Sequence, residues 1–269
     1  MHRYLQGVRG DRAFRVITLG SLIIITGFFI VIIVSLLTYT DWKTIGSSFL
    51  APETLFAIKL SLITASITTI LAVAVAIPVA YAISKNEFFG KNLVDSLLDL
   101  PIVISPVAIG AALLVFFNTP LGNSINNNLL RFVFSVPGIV LAQFTIVSAL
   151  AIRLLKSTFD NIDVRYEQVA RTLGCSKPEA FFKVVIPLAR NGLVASGILT
   201  WARAVGEFGA TVTLAGATAM RTETLPISIF LNLSSANIEQ AVALIVILVI
   251  ISLVALLLVR LITGRRYSI

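Results

Sequence analysis

Six long apolar stretches constrain this chain more than any other feature. Crossing about 30 Å of hydrocarbon takes roughly 20 apolar residues in a helix. Val16–Tyr39, Ile58–Ser84, Ser96–Phe117, Pro137–Leu155, Asn191–Leu214 and Gln240–Ile262 are stretches of that kind. Lipid offers the backbone no hydrogen-bond partner, so each is expected as a helix. The composition agrees: 13% of residues are charged, against about 25% in a soluble domain. The third stretch contains Pro101 and Pro106, and the fifth contains Arg203 and Glu207. The first is too long for a signal-peptide core and lacks an Ala-x-Ala-like exit, so it reads as a retained membrane helix. With no long polar segment at either end, residues 1–269 are expected to form a single membrane domain.

The cationic residues orient these helices, because Lys and Arg accumulate in cytoplasmic loops. Sixteen fall on one side: Arg3, Arg9, Arg12, Arg15, Lys85, Lys91, Arg153, Lys156, Arg165, Arg171, Lys177, Lys183, Arg190, Arg260, Arg265 and Arg266. The other side holds Lys43, Arg131 and Arg221, with Lys59 near a helix end. Both termini are therefore expected in the cytoplasm, which requires an even number of crossings and fits six. Arg9, Arg12, Arg15, Arg265 and Arg266 are placed to snorkel to lipid headgroups. The external connections are Thr40–Ala57, Asn118–Val136 and Ala215–Glu239. The Asn-rich middle one reads as a solvated turn, with contact to a partner as the alternative.

Several function classes drop out. The net charge of +8 does not come from a basic run interleaved with aromatics, so nucleic acid is not an expected partner. The lone cysteine, Cys175, permits no intrachain disulfide, and the lone histidine, His2, no His-dependent triad or zinc site. No Gly-x-x-x-x-Gly-Lys-Ser/Thr loop is present, so the chain carries no nucleotide-phosphate cradle.

Between the fourth and fifth stretches lies a polar insert, about residues 156–190. Val164–Leu173 can form a short helix, and Gly174 is placed to stop it as a C′ glycine. Ser176-Lys177-Pro178-Glu179 has capping-box spacing with an early proline. It predicts a second short helix over Pro178–Val185, ending before Pro187, with Phe181, Phe182, Val184 and Val185 resting against the bundle. Cys175, beside the turn, reads as an inert small residue.

Gln168-Val169-Ala170-Arg171-Thr172-Leu173-Gly174, nine residues, then Val184-x-Ile186-Pro187 resembles the EAA loop of ABC-transporter permeases. Gln168 stands where that family usually has Glu, though Glu167 precedes it, and Val169 replaces the first Ala. Other segments extend the resemblance from about residue 55 onward. Leu60–Ala65 and Ala76–Ala82 resemble the second core helix of type I permeases, and Asp99–Pro106 with Gly110 the start of their third. Thr200-Trp201-Ala202-Arg203-Ala204-Val205-Gly206-Glu207-Phe208-Gly209-Ala210-Thr211 resembles the sulfate and molybdate/tungstate branch, closer to molybdate/tungstate. Thr224–Ile227 and Ile238–Ala241 continue it.

The resemblance implies an all-α, polytopic permease of the type I ABC-importer class, with six transmembrane helices and a cytoplasmic coupling helix pair. It implies that Glu167, Gln168, Ala170, Arg171, Gly174, Cys175, Ser176 and Pro187 form or border the surface that docks a separate ATPase subunit. It also implies a second copy of the chain, against which the first helix packs, and an extracytoplasmic substrate-binding protein. ATP and magnesium belong to the ATPase, and this chain holds no cofactor or metal and does no chemistry. The cargo implied is a tetrahedral oxyanion, molybdate or tungstate first and sulfate or thiosulfate second. An ion-coupled secondary transporter is the reading from another class, but it leaves the coupling loop unexplained and would want inverted repeats, which the sequence does not display. A histidine-dependent intramembrane protease lacks a histidine in any span, and the two-aspartate kind lacks a buried pair.

Candidate passage residues are Pro101, Ser105, Pro106, Arg203, Glu207, Gly209 and Thr211. Arg203 and Glu207 lie four apart and can pair, either as a lock on packing toward the cytoplasmic half or as part of an anion path. Pro78, Pro101 and Pro106 free backbone carbonyls and kink helices or line a cavity. Gly206, Gly209 and Ala210 allow close helix packing or a gate.

Overall fold

A computed structural model of the chain describes residues 2–39 and 42–263, with side chains for 14–39 and 46–261. Arg265 and Arg266, and the side chains of Arg3, Arg9, Arg12 and Lys43, lie outside the described residues. Among those described there is no strand. The helices are α1 (His2–Tyr39), α2 (Trp42–Leu50), α3 (Pro52–Lys85), α4 (Lys91–Val103), α5 (Pro106–Phe117), α6 (Pro120–Asn128) and α7 (Val136–Asp160). They continue with α8 (Val164–Thr172), α9 (Lys177–Ala180), α10 (Ile186–Val205), α11 (Gly209–Ala215), α12 (Leu225–Ser234) and α13 (Ile238–Thr263). Among the described residues five continuous helical segments are long and apolar enough to span a membrane, or six if the bent pair of α4 and α5 crosses as one broken span.

Three boundaries differ from the sequence expectation. The third stretch breaks rather than kinks: α4 and α5 meet at 108°. Pro101 sits inside α4 without ending it. The break falls at Ile104 and Ser105, both extended (ψ 142° and 139°), because a proline drives the residue before it out of the helical region. The fifth stretch runs Lys177–Val205, not Asn191–Leu214. The second short helix therefore does not stop before Pro187. A π-helical turn over Phe181–Val185 joins α9 to α10, with the Ile186 amide donating to the Phe181 carbonyl. The wider turn takes up the proline, which then occupies the first turn of α10, where a missing N–H is harmless. Finally, each external connection contains a helix, α2, α6 or α12, where sequence suggested loops.

The core is built on α3 and α7, whose facing positions are small. Ala65 and Ala72 of α3 cluster with Val147 of α7, and Ala76 and Ala80 with Ala151, all buried, which lets the backbones approach closely. At one end, Ile83, Leu155, Phe159, Val185 and Ala189 join α3, α7 and the π-turn to α10. At the other, Ala57, Leu225, Leu244 and Ile247 join α3, α12 and α13. Buried hydroxyls and amides cross-link the helices. Thr68 Oγ1 donates to Gln143 Oε1 at 3.0 Å, and Gln143 Nε2 donates to the Ala204 carbonyl at 3.1 Å. Ser61 Oγ accepts from the Leu225 amide at 2.7 Å. By contrast, no residue of the apolar Phe14–Tyr39 window of α1 is buried.

Candidate functional site

Two regions stand out, one at an end of the bundle and one in its middle. At the end where α3 and α7 finish, α8 and α9 form a short helix pair. Asp163 caps α8 by accepting from the Arg165 amide at 2.9 Å. Gly174 turns the chain with φ +92°, a left-handed conformation that a side chain would strain. The Cys175 amide then reaches back to the Ala170 carbonyl at 3.1 Å. Ser176 and Glu179 form the capping box, the Ser176 amide donating to Glu179 Oε2 at 2.9 Å. Lys183 adds an ion pair to Glu179 at 2.9 Å.

The pair is bolted to the bundle from beneath. Glu167 Oε2 accepts from the Tyr81 hydroxyl at 2.8 Å. The Tyr81 ring lies edge-on to Phe159 and Phe181, with centroids 5.8 and 4.6 Å away. Lys85 Nζ donates to the Ile162 carbonyl at 2.7 Å, and Ser84 to Asp160 at 2.6 Å. Glu167 and Ala170 therefore face this chain; Ala170 is buried. Gln168, Arg171, Gly174, Ser176 and Pro187 are exposed, and Cys175 is half-buried. Phe182, expected against the bundle, points outward instead, at 67% exposure. The free face of α8 carries Tyr166, Val169 and Leu173, spaced to share one side of a helix and all exposed. Sequence reasoning passed over this apolar stripe, although its three-then-four spacing is readable there.

In the middle of the bundle, a second break lies against the first. α10 ends at Val205, and α11 restarts at Gly209 after Gly206, Glu207 and Phe208. Arg203 Nη1 pairs with Glu207 Oε2 at 2.7 Å. Glu207 Oε1 accepts from the Ala210 amide at 3.1 Å and so caps α11. The two residues meet, but across the break, not along one helix. The Ala204 carbonyl beside them is tied through Gln143 to Thr68, midway along α3.

Gly209 packs on the elbow between α4 and α5: a Cβ there would stand 3.0 Å from Pro106 Cβ and the Val107 nitrogen. A Cβ on Gly110 would fall 2.8 Å from Ala210 Cα. Gly206 has no such neighbour, its nearest atom being 3.8 Å from an added Cβ. Of the glycines thought to allow packing, Gly209 does so and Gly206 does not. Ser105 caps α5, accepting from the Ala108 amide at 3.3 Å, and is exposed. Thr211 is fully buried, with a hydroxyl that makes no hydrogen bond among the described residues. Pro101 lies a turn before the break and is partly buried. Arg153, read only as a topology signal, joins α7 to α4 through Asp95 at 3.2 Å and through Asp99.

A helical membrane bundle with a bolted helix pair at one end and two touching breaks inside is the architecture of an importer permease. It is similar over 97% of this chain, and 96% of the other, to a subunit in the crystal structure of a bacterial alginate ABC transporter, with TM-score 0.76 and 16% sequence identity. The model of the binding-protein-dependent transport system inner membrane component family matches residues 75–266, and the chain belongs to that family. It is 36% identical over 206 residues to the molybdenum transport system permease protein ModB of Haemophilus influenzae, covering 75% of this chain and 90% of that one. It is 31% identical over 225 residues to the molybdate/tungstate transport system permease protein WtpB of Pyrococcus furiosus, covering 84% of each.

Proposed function

We propose that this chain is the membrane permease of an ATP-driven importer for molybdate or tungstate. The single observation that carries the ATP-driven class is the α8–α9 pair. It is rigidly capped, anchored beneath by Glu167 and Tyr81, and still leaves Tyr166, Val169 and Leu173 uncovered. An apolar stripe of this kind on a charged segment suits a protein partner. In this reading the partner is an ATPase subunit that holds the ATP and magnesium. The excess of Lys and Arg at that end supports a cytoplasmic position for it and for both termini. The cargo reading rests on relatives named for molybdate and tungstate along most of their length.

Two copies pair, so that two coupling segments of one permease domain engage two ATPase subunits. The bare α1 then packs on the second copy and on lipid. A substrate-binding protein docks at the end that carries α2, α6 and α12. The anion crosses beside the two breaks. Non-helical backbone at membrane depth survives only against protein or water, and the exposed Ser105 and Gly206 therefore face a second copy and a wet passage. Reconstitution with the ATPase and binding protein tests the whole reading. ATP hydrolysis should rise when the binding protein is loaded with molybdate or tungstate. A rise with sulfate alone would replace the cargo, and no response to any oxyanion would remove the importer reading.

A further inference from the structure

Arg203 and Glu207 are an unequal pair. The carboxylate is 1% exposed and is held twice, by Arg203 at 2.7 Å and by the Ala210 amide at 3.1 Å. The Arg203 side chain is 39% exposed. It opens at the break where Gly206 is also exposed and where α11 touches the elbow at Pro106. A pair that served packing alone would have no reason to leave one partner uncovered at the middle of a membrane bundle, since an exposed charge at that depth must find water, an ion or another protein.

We propose that Glu207 sets how tightly the passage holds its anion. Arg203 is the cation that a tetrahedral dianion meets at the break, and the fixed carboxylate behind it cancels most of that cation's pull. This rests on the passage reading given above. The physical need is plain: a lone guanidinium between the low-dielectric walls of a narrow passage attracts a dianion strongly, and conduction requires sites weak enough to leave. The compensation is permanent, because Glu207 also caps α11 and cannot swing away without uncapping it. The carboxylate thus trades attraction for release and is a positioning residue for charge; it need not touch the anion.

Glu207→Gln tests this, because its side-chain oxygen can still accept from the Ala210 amide while the charge is lost. The assembled transporter, with its ATPase and binding protein, is measured two ways: ATP-driven molybdate uptake into proteoliposomes, and molybdate retained by the purified complex in equilibrium dialysis. Glu207→Gln should slow uptake about tenfold and tighten retention about tenfold, which corresponds to about 1.4 kcal/mol, and added salt should reverse the retention. Arg203→Gln should slow uptake without any retention. The double variant should lose the retention and recover most of the uptake; a merely structural pair would also recover when both charges go, but its Glu207→Gln variant would not retain molybdate. Normal uptake by Glu207→Gln, slowed uptake without retention, a double variant no better than the single, or failure of the variants to assemble would each overturn the proposal. Wild-type vesicles separate this from the cargo assignment. If they carry sulfate and not molybdate, the cargo is wrong and the same ordering is read with sulfate. If they carry neither, both readings fall.

Discussion

Glu167 spends its carboxylate inward, on the Tyr81 hydroxyl, so in the proposed docking the outward contact falls to Tyr166, Val169 and Leu173. Burying such side chains against a partner contributes roughly 1.5–3 kcal/mol each. Leu173→Asp should therefore reduce the ATPase that co-purifies with the permease by more than about tenfold, while the amount of permease in the membrane is unchanged. Tyr81→Phe breaks the bolt and leaves the stripe. It should keep the ATPase bound but weaken the coupling of hydrolysis to uptake, measured as ATP consumed per anion carried. Gly174→Ala forces a side chain to φ +92°, at about 1–2 kcal/mol, and should lower the melting temperature of the permease. These residues were unequally legible. The capping box and Gly174 could be read because caps are made within three or four residues. The Tyr81–Glu167 bond spans 86 positions, and nothing local announces it.

At the scale of the element, the two breaks have different causes, and that decides which one sequence could reveal. The α4–α5 elbow follows from Pro106, a local instruction, although the expected kink proved to be a bend of 108°. The α10–α11 break has no proline. There Glu207 caps the new helix, and the Ala204 carbonyl accepts both from the Glu207 amide and from Gln143, 61 positions away. Pro187 shows the converse: a residue that usually ends a helix is absorbed by one wider turn. Gln143→Leu should remove two buried hydrogen bonds, leaving the Ala204 carbonyl to the Glu207 amide and the Thr68 hydroxyl to the Val140 carbonyl, at about 0.5–1.5 kcal/mol for each bond, and lower the thermal stability of the purified permease. Arg153→Ala should free α4 from α7 and leave Asp95 and Asp99 side by side. For a pair about one-third exposed, the loss should be about 1 kcal/mol, and Asp99→Asn should be milder.

At the scale of the whole molecule, the sequence's count of six crossings agrees with five continuous spans and one broken one. Apolar length is a summed property that tolerates errors of several residues at each end. What it could not supply is that the α8–α9 pair and the fifth crossing are partly the same element, because Pro187 argues against it locally. The lone Cys175 makes the orientation testable: a membrane-impermeant maleimide should label it in inside-out vesicles and not in right-side-out ones, and bound ATPase should slow the reaction. The uninterrupted helix from Lys177 to Val205 has 29 residues, so it is a lever about 43 Å long. A tilt of about 10° at the ATPase end would carry its tip roughly 7 Å, if the lever turns as one rigid body. Arg203 rides at that tip. In the proposed importer, a small angular stroke outside the membrane would thereby be geared into a displacement on the scale of the anion itself.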